Sequence, residues 1–125
     1  MKVTELMIGD LVLVTGELSK IIEIHEHAVL LRGRSFYYGE DEIKPIPLTK
    51  EILERNSFLK VESIEYPSNS AGVSFLYRNT PEGLRIFVQN ACAGGPTCTM
   101  IKTCKYVHEV QHMIKMCDIE KNIVL

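Results

Sequence analysis

Residues 42–58 read EIKPIPLTKEILERNSF, and this stretch divides the chain into two kinds of sequence. Pro45 and Pro47 have no amide donors and fix φ near about −65°, so the backbone through them is extended and cannot join a central strand. Thr49 stands where a helix N-cap belongs, and Glu51 falls in the first turn, where the helix dipole favours an anion. Leu48 and Leu53 occupy the N′ and N4 positions of a hydrophobic staple. Ile52, Leu53 and Phe58 supply an apolar side, and Asn56-Ser57 is the stop. The stretch is a strap that closes a unit of residues 1–47 and opens a second unit of residues 48–125 packed against it, or else links two lobes of a single domain.

Upstream the sequence is β-rich. Ile8-Gly9-Asp10 turns the chain into Leu11–Val14, and Gly16-Glu17 connects it to Lys20–Ile24, apolar enough to be mostly buried. His25-Glu26-His27 leads to Ala28–Leu31, Gly33 breaks that run, and Phe36-Tyr37-Tyr38 forms a short aromatic strand before Glu40-Asp41-Glu42 and Ile43. Short strands with hairpin-length links predict a small SH3-like β-barrel or curled meander. Downstream, Leu59–Ile64 alternates as a strand with one wet face, and residues 67–72 form a loop. Val73–Tyr77 and Leu84–Val88 flank Asn79–Gly83 as a hairpin, and residues 90–99 are the least regular part. The spacing of Tyr106, Val107, Val110, Met113, Ile114 and Cys117 predicts one apolar helix face over about residues 105–117. Ile123-Val124-Leu125 then forms an edge strand or a loose tail. The expected fold class is α+β.

With 125 residues, 46% hydrophobic and 24% charged, the composition is that of a globular domain and excludes a disordered chain. A formal net charge of −2 gives no general attraction to nucleic acid or to anionic membranes. Residues 1–62 hold eight Lys/Arg against eleven Asp/Glu, so the β-rich half is the more acidic. No apolar run reaches the roughly 18 residues of a membrane span. Acidic residues in MKVTELMIGD occupy the place of a signal peptide's apolar core, so a cytoplasmic protein with reduced thiols is expected. In an exported protein Cys92 and Cys98 would be free to pair.

Three segments, IGDLVLV, EIKPIPLTKEIL and KYVHEVQHM, resemble a family of short uncharacterised proteins of gut anaerobic bacteria, their phages and their conjugative elements. The resemblance covers nearly the full length and implies a β-rich opening, a "KPIPLT" helix start and a "YVHELQNL"-like final helix. It implies no reaction, cofactor or ligand. The chain departs from the family pattern in its cysteine-bearing loop and at His112.

Cys92, Cys98, Cys104, His108, His112 and Cys117 are the residue types that hold zinc. Cys104, His108 and His112 lie four apart on the final helix, where side chains can approach one ion. C-x5-C-x5-C lacks the short C-x2-C knuckle, however, and His108 and His112 fall nearly opposite the apolar face, in solvent unless another element covers them. No cofactor is expected. Gly94-Gly95-Pro96 lacks the Lys-Ser/Thr ending and the following helix of a phosphate loop. Arg32, Arg34 and Tyr37 lie close in sequence on the β unit, where an SH3-like surface would bind a peptide or nucleic acid. The expected function is a non-enzymatic binding or adaptor module with a protein partner. A nucleic-acid-associated regulator and a small zinc protein are the alternatives, and the sequence leaves oligomeric state open.

Overall fold

The computed structural model describes residues 1–62, 72–91 and 97–125. Within it Thr49 is an N-cap: its backbone is extended, with φ −125° and ψ 159°, and its Oγ1 accepts a hydrogen bond from the Ile52 amide at 3.3 Å. Helix α1 follows over Lys50–Arg55. It ends in a Schellman motif, with Ser57 at φ 68°, the Ser57 amide donating to Glu54 O at 3.2 Å and the Phe58 amide to Leu53 O at 3.0 Å. A serine in this left-handed conformation carries strain that glycine does not. Thr49→Ala is expected to lower stability by about 1 kcal/mol, and Ser57→Gly to raise it by about 0.5–1 kcal/mol. Urea denaturation of both variants checks the pair. Two shifts of the same sign would refute the cap assignments.

The protein is α+β and divides into two compact units, Met1–Pro47 with Tyr106–His108, and Leu48–Lys105 with Glu109–Leu125. Within the strap, Pro47 forms an isolated antiparallel bridge with Tyr106, flanked by Val107 N donating to Ile46 O and Leu48 N to Lys105 O, each at 2.9 Å.

The N-terminal unit is an antiparallel meander of β1 (Leu11–Val14), β2 (Glu17–Ile24), β3 (Ala28–Leu31), β4 (Tyr37–Gly39) and β5 (Ile43–Lys44), in the order β4-β3-β2-β1-β5. A two-residue turn at Thr15-Gly16, both at positive φ, joins β1 to β2, the arrangement whose twist suits a tight hairpin. Alternation sends Val12, Val14, Ile21, Val29, Leu31, Tyr38 and Ile43 into one apolar core, which Val3 and Leu6 complete. β2 is less buried than its composition predicts. The β2–β3 register shifts between Ile21 and Glu23, and Ile22 stands 41% exposed. A 3₁₀ turn at Glu40–Glu42 leads from β4 to β5. Among the described residues no ladder joins β4 to β5, so the sheet is open rather than a closed barrel.

The second unit carries β6 (Leu59–Lys60), β7 (Gly72–Thr80), β8 (Gly83–Ala91) and β9 (Thr97–Cys104), in that spatial order, with β6 parallel to β7 and the rest antiparallel. The β7–β8 hairpin is the one that the sequence predicts, lengthened at both ends. β9 corrects the sequence reading, which gave no strand to Thr97–Cys104 and left residues 90–99 irregular. Among the described residues of the alternating run from Leu59, only Leu59–Lys60 is a strand; Ser63 and Ile64, residues 67–71 of the expected loop, Cys92 and Gly94-Gly95-Pro96 lie outside the described residues, and Gly72, expected to end that loop, opens β7. Helix α2 spans Val107–Met116 and buries Val107, Val110, Met113 and Ile114. Tyr106 precedes the helix and stays 37% exposed, which corrects its place on the apolar face. Asp118, at φ 56°, ends α2 in a second Schellman motif, with Ile119 N donating to Ile114 O at 3.2 Å.

The tail is tied to the end of α1 by a side chain. Buried Asn56 donates from Nδ2 to Ile52 O at 2.7 Å and to Val124 O at 2.8 Å, and its Oδ1 accepts from Val124 N at 2.7 Å. The carboxamide pairs with Val124 as a neighbouring strand would, and Ile123 is buried beside it in sequence. On the sheet, the Tyr77 hydroxyl donates a short hydrogen bond to the Glu54 carboxylate of α1, and this bond together with burial pushes the phenol up to about 12.

Candidate functional site

β1 and β2 present two faces. Val12, Val14 and Ile21 take the inner one, so Leu11, which pairs with Lys20, and Leu13, which pairs with Leu18, take the outer one. Leu11, Leu18, Ser19, Lys20 and Arg32 line an open depression of about 380 Å³, to which Leu11, Leu18 and Lys20 contribute from that outer face. Arg32 is brought there by the end of β3, where its amide donates to Lys20 O at 2.9 Å. Leu18 is 55% exposed. Among the described residues neither Lys20 nor Arg32 forms an ion pair. The depression therefore offers two cations beside two leucines, the chemistry that takes an anionic group with an apolar neighbour.

The three residues that the sequence singled out on this unit have separate neighbours. Arg32 lines the depression. Arg34 is engaged by Glu17, Nη2 to Oε2 at 2.9 Å. The Tyr37 hydroxyl donates to Glu23 Oε2 at 3.2 Å, and its ring meets His25 edge-on with centroids 4.6 Å apart. Desolvation and the Glu23 carboxylate hold this phenol above its usual value. Of the aromatic run, Tyr38 is buried while Phe36 and Tyr37 stay exposed. Lys20, Leu11 and Leu18 are not singled out by the sequence, which starts the second strand at Lys20 and leaves Leu18 in the connection. β2 begins at Glu17, and that register alone puts Leu18 on the same outward face as Lys20.

The cysteines and histidines are distributed differently. Cys98 Sγ lies 2.7 Å from Cys117 Sγ, and the buried Cys104 Sγ lies 3.6 Å from Met113 Sδ. Burial, with Glu109 adding to it, pushes the Cys104 thiol up to about 12, which disfavours the thiolate that a metal needs. His108 is buried and stacks on Tyr106 at 5.8 Å, which corrects its expected place in solvent. His112 is half-buried. Among the described residues no three His, Cys, Asp or Glu side chains converge as metal ligands.

A further polar junction organises the acidic run. Glu40 Oε1 is 2.9 Å from His27 Nδ1, and its Oε2 accepts from the Val3 amide at 3.0 Å. The His27 hydrogen bond, then the Val3 amide, hold the Glu40 carboxyl below its ordinary value. A folded value below the unfolded one, about 4.3, stabilises the fold above that pH, and the stabilisation is lost as pH falls through the folded value. An acid titration of unfolding is expected to show the wild type losing more stability between about pH 5 and pH 3 than Glu40→Gln does. Parallel curves would mean that Glu40 does not report this junction.

Scans of the chain against known protein families, curated proteins and solved structures find no match. Among the described residues no helix is long and apolar enough to cross a membrane.

Proposed function

We propose that this protein is a non-enzymatic binding module of the cytosol whose N-terminal unit docks an acidic, leucine-bearing segment of a partner protein. The observation that carries the reading is the pair Lys20 and Arg32, without ion-pair partners among the described residues, set against Leu11 and the exposed Leu18 in one open depression. An interfacial carboxylate placed between two such cations gains charge-assisted hydrogen bonds, and an adjacent apolar side chain covers the leucines. Residues 1–47 hold five Lys/Arg against eight Asp/Glu, so the cations are a local feature of an acidic surface. A duplex needs a broad cationic face, and the net acidity of the unit disfavours one, which favours a short acidic peptide over nucleic acid.

The proposal includes an SH3-like form for the unit. Its supports are the meander order with β5 beside β1, the register shift in β2 and the 3₁₀ turn between β4 and β5. That the module serves a phage or other mobile element rests on the KPIPLT resemblance alone.

Peptides alternating leucine with glutamate, and lysine–leucine peptides as controls, test the reading by isothermal titration. The acidic series is expected to bind, and Lys20→Ala with Arg32→Ala to weaken it about tenfold or more, the scale of one to two exposed charge-assisted contacts. Preference for the basic series, or undiminished binding by the double variant, would overturn it.

A further inference from the structure

Four features meet at the start of β9. Cys98 stands opposite Asn90 in the β8–β9 ladder, so both side chains leave the sheet on the same face. The Asn90 Nδ2 donates to Cys117 O at 2.8 Å, which fixes the residue just beyond α2 over that position. The sulfurs of Cys98 and Cys117 approach to 2.7 Å, within about 0.7 Å of a covalent S–S bond. Cys98 is partly exposed and Cys117 is buried.

We propose that Cys98 and Cys117 are a thiol-modification site that takes low-molecular-weight disulfides of the glutathione class and closes to an intramolecular disulfide. Cys98, the accessible sulfur, loses its proton, and its thiolate attacks one sulfur of the incoming disulfide. That S–S bond breaks, a mixed disulfide forms on Cys98, and the first small thiolate leaves and takes up a proton. Cys117 then gives up its proton, its thiolate attacks the Cys98 sulfur, and the second small thiol is released. Two cysteine sulfurs are oxidised by two electrons in all, and one external disulfide is reduced to two thiols. Burial, and then the neighbouring Cys98 sulfur, push the Cys117 thiol up to about 12, so its ionisation, and with it ring closure, is favoured by rising pH. Cys104, buried against Met113, takes no part.

The test is oxidation of the full chain with oxidised glutathione, followed by tryptic mapping without reduction. Residues 86–102 carry both Cys92 and Cys98 on one peptide, and residues 116–121 carry Cys117. The expected product joins these two peptides. The link is expected to persist in Cys92→Ser and to vanish in Cys98→Ser. Should Cys98→Ser fold poorly, fragment ions of the linked wild-type peptides assign the sulfur directly. The oxidised wild type is also expected to melt about 10 °C above the reduced form, as a closed loop of this size implies. A Cys92–Cys98 link inside one peptide, a link that survives Cys98→Ser, or glutathione left on Cys98 without closure at pH about 9 would each overturn the proposal.

Discussion

Ile114→Ala is expected to cost about 2–5 kcal/mol, a large part of the roughly 5–15 kcal/mol that holds a domain of this size folded. Ile114 is 2% exposed in the middle of the α2 face that also buries Val110 and Met113. Its carbonyl closes the Schellman motif through Ile119, so the helix end cannot slide to fill the space that the lost carbons leave. Dispersion contacts and transfer free energy are then both lost. His112 sits two residues earlier and is half-buried, so His112→Ala is expected to cost under about 1 kcal/mol. Urea denaturation of the two variants at equal slope gives the comparison. Equal losses would mean that α2 is rotated from the orientation described.

Asn56→Ala is expected to be nearly as damaging, at about 2–4 kcal/mol, although it removes little apolar surface. The change deletes both bonds to Val124 and one to Ile52, and each net hydrogen bond contributes about 1 kcal/mol. The Val124 amide and carbonyl would also lose the carboxamide that pairs with both of them. Asn56→Asp separates these effects: an ionised carboxylate still accepts from Val124 N but cannot donate to Val124 O. Hydrogen exchange at the Val124 amide is expected to accelerate strongly in Asn56→Ala and much less in Asn56→Asp. Unchanged exchange in the alanine variant would show that the tail is held by something other than Asn56.

What the chain reveals on reading depends on how local the cause is. Thr49 was legible as a cap because its partner, the Ile52 amide, lies three residues away. β1, β3 and the β7–β8 hairpin were legible from runs of β-formers between turn residues. The C-terminal ends of both helices were harder, since Ser57 and Asp118 fill left-handed positions where glycine is the usual signal. β9 was missed although threonines at 97, 99 and 103 mark one face of a strand. Its other face carries Cys98, Met100, Lys102 and Cys104, which do not read as an apolar stripe. The remaining features come from residues far apart in sequence. Asn56 and Val124 are 68 positions apart, and no local pattern announces their pairing. His108 is buried although helical spacing sets it apart from Val107, Val110, Met113 and Ile114. In the candidate site, Arg32 was legible as a cation, but its company with Lys20 and Leu18 follows from a strand register only the fold supplies.

The binding claim is tested most directly by mapping backbone amide shifts of the labelled full chain during titration with a leucine–glutamate peptide. Saturable shifts are expected, centred on Leu11, Leu18, Ser19, Lys20 and Arg32 and lost when Lys20 and Arg32 are both replaced by alanine. Shifts centred elsewhere, or shifts that persist in the double variant, would contradict it.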